Sequence, residues 1–158
     1  MDDIDRKIIE VLAGDGRLPA TELSRRVGLS TSATNERLRR LTASPVIRRF
    51  TVEIDQAAVG RPMTVFIDLR LRRDVDKSSA DAALLGLEQI VDARHVTGRY
   101  DYQLQAAATD VEDLDRLLER LRDEAGADET MTRLALRTVP GFPRPPTLPG
   151  GGRSTGRT

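Results

Sequence analysis

Glu22–Leu41, ELSRRVGLSTSATNERLRRL, reads as a helix, a tight turn and a second helix. Leu23 and Val27 are four apart and share one face of the first helix. Gly28 ends it, because glycine enters left-handed backbone space without steric cost. Ser30 is an N-cap for the second helix, which buries Leu38 and Leu41 with Thr34 above them. Thr31, Ser32, Asn35, Arg39 and Arg40 then point outward. Hydroxyls and an amide come first along this helix and arginines follow. A DNA-reading helix needs that order: polar groups for base edges, then cations for phosphates. A plain solvated helix face would use the same residue types, so the pattern alone leaves both readings open.

Charge supports the first reading. From Arg17 to Arg49 the arginines at 17, 25, 26, 37, 39, 40, 48 and 49 face only Glu22 and Glu36, although the whole chain of 158 residues has zero formal charge. The stretch from Arg61 to Val139 is net acidic. A basic head on an acidic body suits a protein that touches phosphate at one end. Arg25, Arg26, Arg48 and Arg49 fit phosphate neutralisation better than base reading, and Arg37, between the two helix faces, suits an internal ion pair.

Toward the N-terminus, Ile4, Ile8 and Leu12 make a helical stripe that Gly14-Asp15-Gly16 stops. Pro19 suits the first turn of the second helix, and Ser44-Pro45 ends the reading helix near Ala43. Phe50, Val52 and Ile54 then alternate with polar residues, which predicts a strand over 46–55. Beyond Gly60-Arg61-Pro62 the pattern predicts a strand at 65–71 and a helix from Ser79. Strands at 91–97 and 101–108, joined by Gly98-Arg99-Tyr100, come next. A helix over 111–124 with Asp110 as cap and Gly126 as stop precedes a last strand at 130–139. The fold class is α+β: an N-terminal winged helix-turn-helix and a C-terminal ferredoxin-like βαββαβ domain. The expected boundaries are a DNA-binding head at 1–45, a linking strand and hinge at 46–61, the ferredoxin-like body at 62–139 and a disordered Pro/Gly-rich tail at 140–158. One face of the body's sheet would be bare in a monomer and must meet water, a ligand or a second subunit.

No cysteine is present, so disulfides and thiolate metal sites are excluded, and the single His95 has no histidine or cysteine partner. No catalytic residue, metal or cofactor is expected. No apolar run reaches the ~18–20 residues of a membrane span, and the N-terminus MDDIDRK has no signal-peptide pattern. A cytoplasmic protein without a membrane partner is expected.

The segments DDIDRKIIEVLAGDGR, ELSRRVGLS…ERLRRL and VTGRYDYQL, in this arrangement, resemble the Lrp/AsnC (feast/famine) family of transcription regulators over about residues 2–140. The resemblance implies a regulator that binds double-stranded DNA as a homodimer, often assembled into octamers. An amino acid or related metabolite would act as effector between body domains. DNA contact would fall to Thr31, Ser32, Asn35, Arg39, Arg40, Arg25 and Arg26. Gly98, Arg99, Tyr100, Asp101 and Tyr102 would form the effector loop, with Thr130 and Thr132 adding hydroxyls to the same pocket. One tyrosine would face the pocket and the other the core. A hairpin turn with no ligand uses the same glycine and aspartate. Other readings are an enzyme on the same scaffold, like the siroheme decarboxylases, or a metabolite-binding oligomer without DNA binding.

Overall fold

The structure is a computed structural model that describes residues 1–141 and Leu148. The predicted disordered tail lies almost entirely outside the described residues. The chain divides into two compact units, one containing Met1–Glu53 and the other Ile54–Val139.

The first unit holds α1 (Asp3–Gly14), α2 (Ala20–Val27) and α3 (Thr31–Ala43). Asp2 caps α1 reciprocally with Asp5: each carboxylate accepts the other's backbone N–H. Ile8, Leu23, Val27 and Leu41 form the buried core, with Ile4, Leu12, Leu38 and Ile47 packed around it. Gly28 sits at φ 76°, and its N–H and that of Leu29 both donate to the Ser24 carbonyl, closing α2. The Ser30 hydroxyl accepts the Ala33 N–H and starts α3.

Residues 46–55 correct an expectation. The alternation predicted a strand, but no strand pairing occurs there. Phe50, Val52 and Ile54 are 53%, 70% and 53% exposed. An isolated extended segment has no ladder partner for its N–H and C=O groups, and period two says nothing about where that partner comes from.

The second unit runs β1 (Met63–Leu71), α4 (Lys77–Leu85), β2 (Ile90–His95), β3 (Tyr102–Ala108), α5 (Val111–Asp123) and β4 (Ala127–Leu134). The strands form one antiparallel sheet in the order β2-β3-β1-β4. This is the βαββαβ arrangement expected. Val65, Ile67 and Leu69 of β1 pack with Leu84 of α4 and with Leu117 and Leu121 of α5. The opposite face carries Phe66, Asp68 and Arg70, paired across to Gln105 and Gln103 on one side and to Arg133, Met131 and Glu129 on the other. Its apolar members Phe66 and Met131 are exposed.

The last strand starts and ends earlier than its sequence pattern suggested. Gly126 turns the chain at φ 74°, and β4 begins at the next residue. Pairing with β1 ends at Val65–Leu134, where β1 itself runs out toward Pro62, so 135–139 continue without a strand. No helix among the described residues is long and apolar enough to cross a membrane.

Candidate functional site

On α3, Thr31, Ser32, Asn35, Arg39 and Arg40 are all exposed, and the 3.6-residue period puts Thr34 and Leu41 inside. The outward cations are not bare. Arg39 chelates Glu36 through Nη2 at 2.7 Å and Nε at 3.2 Å. On α2, Arg25 and Arg26 share Glu22, whose carboxyl their hydrogen bonds hold at about 2. Exposed pairs of this kind are weak, so a phosphate can replace the carboxylate at small cost. Arg48 and Arg49 are exposed and form no ion pair among the described residues. The Thr31 hydroxyl lies 3.3 Å from that of Ser24, tying the start of α3 to α2.

Asp5 is the head residue that sequence reasoning missed. Its side chain on α1 is buried, yet it accepts from Arg37 Nη1 at 2.8 Å and lies 3.4 Å from Arg40 Nη2. Arg37 also donates to Asp2 at 2.6 Å. Burial pushes the Asp5 carboxyl up, but hydrogen bonds from Arg37 and the Asp2 N–H outweigh it and hold it below the ordinary range. This network fixes the angle of α3 against α1. Arg37 is therefore the internal ion pair that its position between the two helix faces suggested. The acidic pair at the N-terminus was the available signal.

In the body, the β2–β3 turn is built on Gly98, at φ 113°. Asp101 pins this turn to β1: its N–H donates to the Leu69 carbonyl at 2.9 Å, and its Oδ2 accepts the Leu71 N–H at 2.9 Å. One oxygen of Asp101, expected as part of the effector loop, thus anchors that loop. Arg99 donates to Glu129 and lies 5.5 Å from the Tyr100 ring centre, and the Tyr100 hydroxyl is 3.4 Å from the same carboxylate. Arg70 bridges Asp128 and Glu129 at 2.9 and 3.0 Å. Glu129, Asp128 and Arg70 thus complete a charged cluster around the loop. A register pattern, not a motif, would have been needed to find them.

The other expected loop partners go elsewhere. Thr130 and Thr132 pair with Leu69 and Ile67, so they lie on the helix-covered face, opposite to Glu129 and Arg70. Tyr102 is 1% exposed and inside the core, its hydroxyl donating to Asp81 Oδ1 at 2.7 Å. Burial, then Asp81, push its phenol well above the usual value. Gly98, Arg99, Tyr100 and Asp101 remain together. His95 Nε2 lies 3.2 Å from Asp81 Oδ1. No cluster of three or more metal-ligating side chains occurs among the described residues.

A three-helix head whose α3 exposes polar and basic side chains, followed in the chain by a βαββαβ body with a glycine turn, is the two-part plan of a protein with a DNA-binding and a ligand-binding domain. Residues 1–42 match the AsnC-type helix-turn-helix domain, and residues 64–143 match the Lrp/AsnC ligand binding domain. The chain belongs to the Lrp/AsnC family of DNA-binding, ligand-responsive transcriptional regulators. It is 34% identical to the HTH-type transcriptional regulator FL11 of Pyrococcus horikoshii, over 87% of this chain and 91% of that one. It is 33% identical to the leucine-responsive regulatory protein of Salmonella typhimurium, over 88% and 87%. Among solved structures, a transcriptional regulator of Neisseria meningitidis in complex with L-methionine superposes with TM-score 0.85 at 28% identity, covering 92% of this chain and 96% of that one. The feast or famine regulatory protein of Mycobacterium tuberculosis complexed with L-methionine gives 0.82 at 32%, covering 90% and 97%.

Proposed function

We propose that this protein is a non-enzymatic, cytoplasmic regulator that reads double-stranded DNA through α3. An amino acid or related metabolite held at the 98–101 loop would set its assembly or its DNA affinity. The observation that carries this reading is the outward face of α3, where Thr31, Ser32 and Asn35 precede Arg39 and Arg40 on a helix locked from behind by Asp5. Arg25, Arg26, Arg48 and Arg49 add phosphate contacts. The ligand reading draws on Arg99, Tyr100 and Glu129 grouped at a loop anchored by Asp101, and on the methionine complexes of the two solved relatives.

Self-association gives the unfinished surfaces a use. The open sheet face with Phe66 and Met131, and the unpaired alternation of Phe50, Val52 and Ile54, fit a homodimer that stacks into higher assemblies such as octamers. An effector that favours one assembly then shifts the population with DNA-competent head spacing.

A thermal-shift screen of the twenty amino acids, with light scattering on each hit, tests the ligand reading. A stabilising amino acid that also changes particle size is expected, and Arg99→Ala should remove or change that response while DNA still shifts in a gel. If no amino acid binds, the effector part fails and the DNA-reading head stands separately.

A further inference from the structure

A cleft of about 500 Å³ opens between α4 and the β2 edge of the sheet, and none of residues 98–101 lines it. Its long wall is apolar: Leu84 and Leu85 on the helix face Ile90 and Val91 on the strand side. Leu84 is 4% exposed and belongs to the core, but Leu85 is 89% exposed and Val91 45%. Asp81 stands three and four residues before these leucines, so helix geometry aims its carboxylate into the same cleft.

The polar end is built, not incidental. The buried Tyr102 hydroxyl and the His95 Nε2 both meet Asp81 Oδ1, at 2.7 and 3.2 Å, and the His95 ring packs on Tyr102 with centroids 4.2 Å apart. That holds the carboxylate in place and leaves Oδ2 without a hydrogen-bond partner among the described residues. The side chain is 52% exposed, so a ligand donor at Oδ2 would take the place of water. Asp81 turns its carboxylate to the cleft, while Asp92 pairs with Gln105 on the sheet's open face; the lining holds neither lysine nor arginine. Asp92 is already paired with Arg94 at 2.7 Å.

We infer that this cleft binds a small amphipathic monocation, a primary amine with an aliphatic or aromatic body and no carboxylate. Its ammonium donates to Asp81 Oδ2, and its apolar body lies along Leu85 and Val91. Size and lining suit a small ligand with one polar end. A zwitterionic amino acid fits worse, since its carboxylate finds no lysine or arginine in the lining and meets Asp81 instead. This separates the cleft chemically from the loop cluster, which carries Arg99 and Arg70. The cleft also touches β2, the strand that leads into the loop, so an amine seated there braces α4 against that hairpin.

Hexylamine is the probe, with hexanoate and hexanol as controls, titrated calorimetrically into the full chain. Saturable binding of hexylamine near about 1 mM is expected, a range reasonable for so small a ligand, with hexanoate not binding. Asp81→Asn, which keeps an acceptor for Tyr102, should weaken hexylamine about tenfold, the scale of one charge-assisted hydrogen bond. Leu85→Ser should weaken it severalfold; at 89% exposure Leu85 contributes little to folding, so that variant keeps the test valid if Asp81→Asn misfolds. No binding of hexylamine, equal binding of hexanoate or hexanol, or unchanged affinity in both variants would overturn the assignment.

Discussion

In the head, Asp5 is buried and reaches Arg37 across two helices at 2.8 Å; in the body, the matching long-range contacts are Val65, Ile67 and Leu69 against Leu117 and Leu121. The head core has four buried apolar side chains ringed by partly buried ones, a non-directional packing that leaves room for a directional contact to set the helix angle. A directional ion pair supplies that contact. The body's buried cluster is far larger, and its sheet register is set by alternation along β1 and β3. Charge orients the helix-turn-helix head, and apolar burial holds the ligand binding domain.

Two glycines set the scale of this difference. A Cβ on Gly126 would lie 2.5 Å from Val75 Cγ2, on a backbone at φ 74°. Gly126→Val therefore combines left-handed strain with overpacking and should cost about 4 kcal/mol. Urea melts of the intact protein would read this as a much lower midpoint; an unchanged midpoint would mean that the α5–β4 turn relaxes freely.

Breaking the head clamp comes next. Arg37→Met leaves the buried Asp5 with only the longer Arg40 contact at 3.4 Å, so the melting temperature should fall by several degrees and DNA affinity with it. The acid response should change too. Asp2 and Asp5 are both held below the ordinary carboxylate range. Their stabilisation is complete above an unfolded pKa near about 4 and is lost as pH falls through the lower folded values. In Arg37→Met that loss below pH 4 should be shallower than in the parent. An identical acid profile would show that the clamp does not contribute.

Gly28→Ala is milder, because a Cβ there meets nothing within 4 Å and only the φ of 76° resists. About 1 kcal/mol is expected from chemical denaturation. A loss as large as that of Gly126→Val would erase the distinction between the two turns.

What the sequence made legible was local. Leu23, Val27, Gly28 and Ser30 each announce a helix face, a stop or a cap within a few residues, and all four act so in the structure. Arg37 facing Asp5 spans 32 positions, and no short window contains that pair. The alternation at Phe50, Val52 and Ile54 reports a segment suited to pairing, not a pair within one chain. Thr130 and Thr132 were expected to add hydroxyls to the loop's pocket; strand parity places them on the face opposite Glu129. Parity becomes readable only once the register with β1 is known, and the shift at Arg70/Leu71 alters it locally. Tyr102 lies in the core, and the Tyr100 hydroxyl approaches Glu129.

The smallest effect on stability should be the largest on DNA binding relative to it. Arg39 is exposed and chelates the exposed Glu36 one helical turn away, an arrangement that contributes little to folding. Arg39→Ala should leave the melting temperature unchanged. It should also lower DNA affinity and flatten the slope of log K against log salt by roughly one unit, as loss of one phosphate contact requires. If affinity falls for specific DNA only and the slope holds, Arg39 reads a base edge instead. If the melt moves as it does for Arg37→Met, Arg39 is part of the clamp. The division between a reading face and a supporting face of α3 would then be wrong.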